Sequence, residues 1–253
     1  MCGFLRRVRM IPGRTLLTAA LIVVLPASGL CHTLLDPESA HALLDEIARY
    51  RKASQVEPTR EARADALFAM GAKVQALVAL LNQDVDAHGT PGPLTGQVAK
   101  QLAESDIRVT WSDERRRYAY DMDAFRRYCA LAPSGVHAAD ARFQVVSAGF
   151  YATLERDPAK IAAGDLPAVV EAVEQEQRFL RDYPTHARVR EVSFYLGVDC
   201  YRLSRNLADG AQATGYRHCA RQTLQAVASR YPDSIEARAA GPLLEALDRP
   251  SGR

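Results

Sequence analysis

The residue types best suited to a contact surface crowd into one stretch: Arg115, Arg116 and Arg117 stand beside Trp111, Tyr118 and Tyr120, and Trp111 is the chain's only tryptophan. Aromatic and arginine side chains together are the usual anchors of protein interfaces; the alternative, and the favoured one, is a short hairpin packed on the helices with its arginines solvated. A second candidate is the concave face of a helical stack, where Arg188, Arg190, Tyr195 and Tyr201 would meet an extended peptide, with Tyr195 or Tyr201 as core residues the alternative. A search of the sequence for catalytic motifs returns little. There is no Gly-x-Ser-x-Gly elbow, no phosphate loop and no His-Glu-x-x-His. The six histidines, His32, His41, His88, His137, His186 and His218, are scattered. Carboxylates either open helices, as at Asp121, Asp123 and Asp165, or are expected on solvated faces, as at Glu171, Glu174 and Glu176. With no Cys-x-x-Cys and no closely spaced histidine pair, neither a metal site nor a cofactor is expected.

The cysteines bear on compartment. Arg6, Arg7, Arg9 and Arg14 lead into an apolar run from Thr15 to Leu25 and the small-residue stretch Pro26-Ala27-Ser28-Gly29, the pattern of a secretory signal peptide over residues 1–30. No later stretch is expected to span a bilayer. Removing the four arginines leaves 28 basic against 30 acidic residues, so the remaining chain lacks the positive charge that would hold it to a nucleic acid. Cys31 is placed for lipid attachment after cleavage, although Leu30 stands where bacterial lipoproteins usually carry a small residue. In an oxidising compartment exposed cysteines can pair. Cys200 lies in a helical pattern ending near Asn206 and Cys219 in one starting near Thr214, so an antiparallel helix pair would bring them together; two buried thiols are the alternative.

The elements that must position these residues are helical with one exception. In an N-terminal region, 33–105, Ala40, Leu43, Leu44 and Ile47 form an apolar face behind Asp36-Pro37, a cap followed by a proline at the first helical position. Leu67, Met70, Val74, Leu77, Val78 and Leu81 stripe a long helix from about Thr59 to Ala87, stopped at His88-Gly89, and a short helix follows over Pro93 to Glu104. The exception is a β-hairpin within 106–120, where apolar and polar residues alternate on both sides of Asp113-Glu114. A turn centred there sets Val109 against Tyr118, Ile107 against Tyr120, Trp111 beside Arg116, and Thr110 with Arg117 on the opposite face.

From 121 to 248 the helices come in pairs, and lining up the prolines exposes a repeat. Leu131-Ala132-Pro133, Asp182-Tyr183-Pro184 and Arg230-Tyr231-Pro232 recur at intervals of 51 and 48 residues. Eight residues after each proline stands Ala141, Val192 or Ala240, and ten after stands Phe143, Phe194 or Pro242. Pro58 joins the series, with Ala66, Phe68 and Gly71, the last matching Gly197. Such units stack because none buries its apolar face alone. The segment Glu155 to Leu166 lengthens one connection.

Two stretches, Phe179 to Tyr201 and Ala220 to Ala240, resemble the tetratricopeptide repeats of bacterial envelope proteins, including the outer-membrane lipoproteins of the β-barrel assembly machinery and the periplasmic Tol-Pal coordinators. The resemblance covers roughly Ala168 to Leu247. It implies adaptors without catalysis. Together these readings predict an all-α fold of stacked helical hairpins with one small β-hairpin, and a non-enzymatic periplasmic scaffold that binds envelope proteins or peptides. Two alternatives stand beside it: an outer-membrane lipoprotein subunit of a barrel-assembly-like complex, attached to the membrane through Cys31, and a cell-wall-directed enzyme or ligand-binding protein.

Overall fold

In a computed structural model of the chain, residues 35–154, 161, 163–208 and 210–249 are described. The segment 1–30 read above as a signal peptide, Cys31 and most of the 155–166 connection lie outside them. The described residues form nine α-helices and one two-stranded antiparallel sheet, an all-α fold of packed helical hairpins.

Local chemistry sets the helix ends. Helix α1 (Pro37–Val56) opens on Asp36, whose carboxylate accepts from the Ser39 backbone N–H at 2.8 Å; the two hydrogen bonds from Ser39 hold that carboxyl below its ordinary range. Helix α2 (Arg60–His88) is capped by Thr59 and ends on Gly89, which adopts a left-handed φ of 78° that favours glycine. It is long and apolar enough to cross a membrane by length and composition, contrary to the sequence expectation, yet Leu67, Met70, Val74, Leu77 and Leu81 are buried inside the protein. Helix α3 (Pro93–Glu104) leads into strands β1 (Val109–Ser112) and β2 (Arg117–Tyr120), and α4 (Asp123–Leu131) and α5 (Ala138–Leu154) follow. After a short 3-10 turn come α6 (Leu166–Asp182), α7 (Val189–Asn206), α8 (Gly210–Arg230) and α9 (Ile235–Asp248).

The repeated proline phrase builds the same turn three times. The residue before each proline is barred from helical geometry, and Ala132 and Tyr183 take nearly identical dihedrals, −134° and 66° against −132° and 58°. In each turn this residue donates to the carbonyl four positions back, Ala132 to Tyr128, Tyr183 to Phe179 and Tyr231 to Val227. Its own carbonyl then accepts from Gly135, His186 or Ser234, three positions on. Pro58 forms a tighter connection, between a helix ending at Val56 and the Thr59 cap, so only the helix after it follows the series.

The helices pack as the pairs α1/α2, α4/α5, α6/α7 and α8/α9, and successive pairs meet through α2 with α4, α5 with α6, and α7 with α8. Gly71 and Gly197, matched in the sequence, serve the same purpose in the structure. A Cβ on Gly71 would lie 2.8 Å from the Phe125 ring of α4, and one on Gly197 2.7 Å from Leu224 of α8. Two cores result, one extending from Leu35 to Ala141 and the other from Phe143 to Leu247. The change from one to the other falls within α5 rather than at the boundaries near 105 and 120. Cys200 of α7 and Cys219 of α8 form a disulfide, with Cα atoms 6.0 Å apart, and Cys129 is a buried thiol whose pKa burial pushes up.

Gly197→Ala should lower stability by about 1–3 kcal/mol through overpacking against Leu224. Gly149→Ala, whose new Cβ would meet Ala172 at an ordinary 4.0 Å, should be neutral or stabilising by up to about 1 kcal/mol; urea midpoints of the two variants check the contrast. Reducing Cys200–Cys219, which closes a loop across a separation of 19 residues, should cost about 3 kcal/mol and lower the melting temperature in dithiothreitol.

Candidate functional site

The hairpin has the expected apolar face in a different register. Val109 pairs with Tyr120, Thr110 with Ala119, Trp111 with Tyr118 and Ser112 with Arg117. The turn is a four-residue loop, Asp113 to Arg116, that ends with Arg116 at a left-handed φ of 50°, whereas a turn centred on Asp113-Glu114 would have been tighter. Moving the pairing by two residues keeps every side chain on its face. Trp111 therefore lies against Tyr118, ring centroids 5.1 Å apart, instead of beside Arg116.

Helix α2 receives the hairpin through Asn82, whose amide oxygen accepts from the Tyr118 N–H at 2.7 Å and whose amide nitrogen donates to the Tyr118 carbonyl at 3.0 Å. One side chain thus stands where a third strand would pair with β2. Arg116 donates to the Gly89 carbonyl, and Arg117 forms an ion pair with Asp86 at 3.1 Å. Arg115 is half-buried, its backbone N–H bonded to Ser112 Oγ. The Trp111 indole N–H donates to Asp113 at 2.7 Å. Tyr118 and Tyr120 are buried, and the Tyr120 hydroxyl accepts from the Ala124 N–H while burial raises its pKa. Of the six residues singled out here, the two tyrosines are core and two arginines anchor the hairpin to α2.

The second set also divides. Tyr195 and Tyr201 are buried, Tyr195 stacked on Phe150 with centroids 3.8 Å apart, so neither lines an open face. Arg188 and Arg190 are exposed, Arg188 paired with Glu191 and lying over the Phe143 ring, Arg190 paired with Glu236 at 3.2 Å.

These arginines belong to a surface that no single residue type announces. The four turns joining the helices of each pair lie along one edge of the stack, as contacts between successive turns establish. Arg60, the first residue of α2, donates to the carbonyl of Leu131, the last of α4. Asp140, in the first turn of α5, pairs with His186 of the third turn at 3.1 Å, and Arg190 of α7 pairs with Glu236 of α9. The large apolar residues most open to solvent among the described residues are Val136 at 84%, Val56 at 64% and Ile235 at 61%. All three belong to this edge. Val136 and Ile235 occupy the same position, three residues after the turn proline.

The groups most suited to proton chemistry are inside the protein. Glu176, expected on a solvated face, is 1% exposed, because it continues the apolar stripe of Val169 and Val173 toward Phe179. It shares the α6/α7 seam with Asp199 and Arg202, and burial together with the Asp199 charge raises its pKa well above the carboxylate range. Sequence reading missed all three; the signal for Glu176 was its place in that stripe. Elsewhere, a groove of about 490 Å³ between α1 and α3 is lined by residues that include His41, Asp45, Arg51, Lys52 and Gln101. Among the described residues, no three of His, Cys, Asp and Glu gather to hold a metal ion. Neither a protein-family model nor a curated protein matches the chain.

Asn82→Ala leaves two backbone groups of Tyr118 without their partners and should cost about 1–3 kcal/mol. The fluorescence of Trp111 should report hairpin release before the global transition, while Asp86→Ala, which breaks an exposed pair, should change stability by less than about 1 kcal/mol.

Proposed function

We propose that this protein is a non-enzymatic scaffold of the bacterial cell envelope, exported through its N-terminal segment, that binds envelope proteins or peptides along the turn edge of its helical stack. The observation that carries this reading is the alignment of the four turns with Val56, Val136 and Ile235 exposed along them. Helical repeats use extended surfaces of this kind for binding, and the reading takes these three apolar residues, each at a different turn, as the contact points along the edge. The Cys200–Cys219 disulfide supports an oxidising compartment. The hairpin is the secondary contact: Trp111 is half-buried and Arg116 and Arg117 are exposed while tied to α2, so these side chains are ordered before a partner arrives.

The test is affinity capture of the tagged mature protein from crosslinked envelopes of its own cells. Val136→Asp with Ile235→Asp forms one variant, and Arg115, Arg116 and Arg117 changed to Ala forms another. Recovery of one envelope protein in near-equal amount, lost in the first variant and retained in the second, is the expected result. Loss only in the second moves the contact to the hairpin, and the absence of any stoichiometric partner defeats the scaffold reading.

A further inference from the structure

Glu176, Asp199 and Arg202 take no part in the surfaces above, yet they place two carboxyl groups and a guanidinium where there is almost no solvent, at 1%, 0% and 3% exposure. Arg202 reaches one oxygen of Asp199 at 3.5 Å. Both oxygens of Glu176, Asp199 Oδ2 and Arg202 Nε have no hydrogen-bond partner among the described residues. With both carboxyls ionised the seam would hold two negative charges against one positive, and an uncompensated buried charge is strongly unfavourable. A single proton on either carboxyl removes the imbalance, leaving one negative charge against the Arg202 guanidinium.

Among the described residues, Asp199 is the charged group that acts on Glu176. Helix α6 packs against α5, α7 and the short turn before it. From α7, Asp199 acts on Glu176 and Arg202 acts on Asp199, while Arg190 and Glu191 at its start pair with Glu236 and Arg188, and Arg205 lies in its last turn. On α5, Asp140 is paired with His186, and Arg142 acts on Cys129 and Tyr183. Asp165 of the short turn is exposed.

We propose that one of the two carboxyls, Glu176 or Asp199, is kept protonated in the closed seam between α6 and α7, and that losing this proton as the pH rises loosens α6 from α7, making the seam a pH-responsive joint in the stack. The yielding side is α6. Asp199 directly precedes Cys200, so α7 is fixed to α8 by the disulfide and by the close approach of Gly197 to Leu224. Helix α6 leads into the turn that carries His186 and Arg188, so its movement displaces one of the four turns of the exposed edge.

Burial raises both carboxyls, Asp199 to about 6, so the folded protein keeps its proton to higher pH than the unfolded chain does. The associated stability is complete below the unfolded carboxyl range, about pH 4, and is lost as the pH rises through the folded titration. Glu176→Gln holds the group in a permanently neutral, donor-bearing form. The ratio of folding constants, Glu176→Gln over wild type in the full chain, should rise at least about tenfold between pH 5 and pH 8, one pKa unit's worth of linkage; a ratio that stays flat overturns the proposal. Should the variant fail to accumulate, the wild type supplies a second reading. Amide protection in α6, corrected for intrinsic exchange, should fall at least about tenfold relative to α2 over the same range, and a parallel course in the two helices overturns it.

Discussion

The stack depends on one helix that has almost no surface to give to solvent. Along 138–150 of α5, only Asp140 is exposed. Ala138 and Ala141 close the first core, and Phe143, Val146 and Phe150 open the second. Small residues on one part let α4 and α2 approach, and the aromatic residues that follow fill the space toward α6 and α7, where Phe143 meets Phe179 and Phe150 stacks on Tyr195. Neither core would be complete without it. A helix used on both sides transmits position: its first turn reaches the third turn of the edge through Asp140 and His186, so the placement of later units is set by how earlier ones pack.

Contacts between units fall into two kinds. In the interior, successive pairs are joined by steric fit at Gly71 and Gly197, positions that tolerate only hydrogen. At the turn edge they are joined by polar contacts, Arg60 to Leu131, His186 to Asp140 and Arg190 to Glu236. An edge held in this way has its exposed residues already ordered, which would limit the entropy cost of the contact proposed there.

Helix ends were legible where a side chain performs the capping itself, as at Asp36, Thr59 and Gly89, and the recurring proline phrase located three turns because proline acts on its neighbour without tertiary help. The apolar face of the hairpin was legible from alternation alone, but its register depended on Arg116 adopting a left-handed conformation, which arginine does not advertise. Burial was the least legible property. Tyr118, Tyr120, Tyr195 and Tyr201 are residues that serve equally well in a core or an interface, and their type did not separate the two. Glu176 was hidden by its own chemistry: read singly, a glutamate among Glu171 and Glu174 belongs to solvent, and only its phase with Val169 and Val173 places it inside. Asp199 and Arg202 lie in a helix buried on nearly every side from Val192 to Leu203, where no polar face exists to make them stand out.

Asn82 has a consequence beyond holding a hairpin in place. A two-stranded ribbon ends in rows of unused amide and carbonyl groups, and such rows template pairing with any extended chain that comes near. By engaging both backbone groups of Tyr118, Asn82 occupies the point on β2 where an incoming strand would begin to register. The same side chain that fixes the hairpin on α2 therefore also leaves β2 already matched at that point, with no open backbone pair there for a further strand.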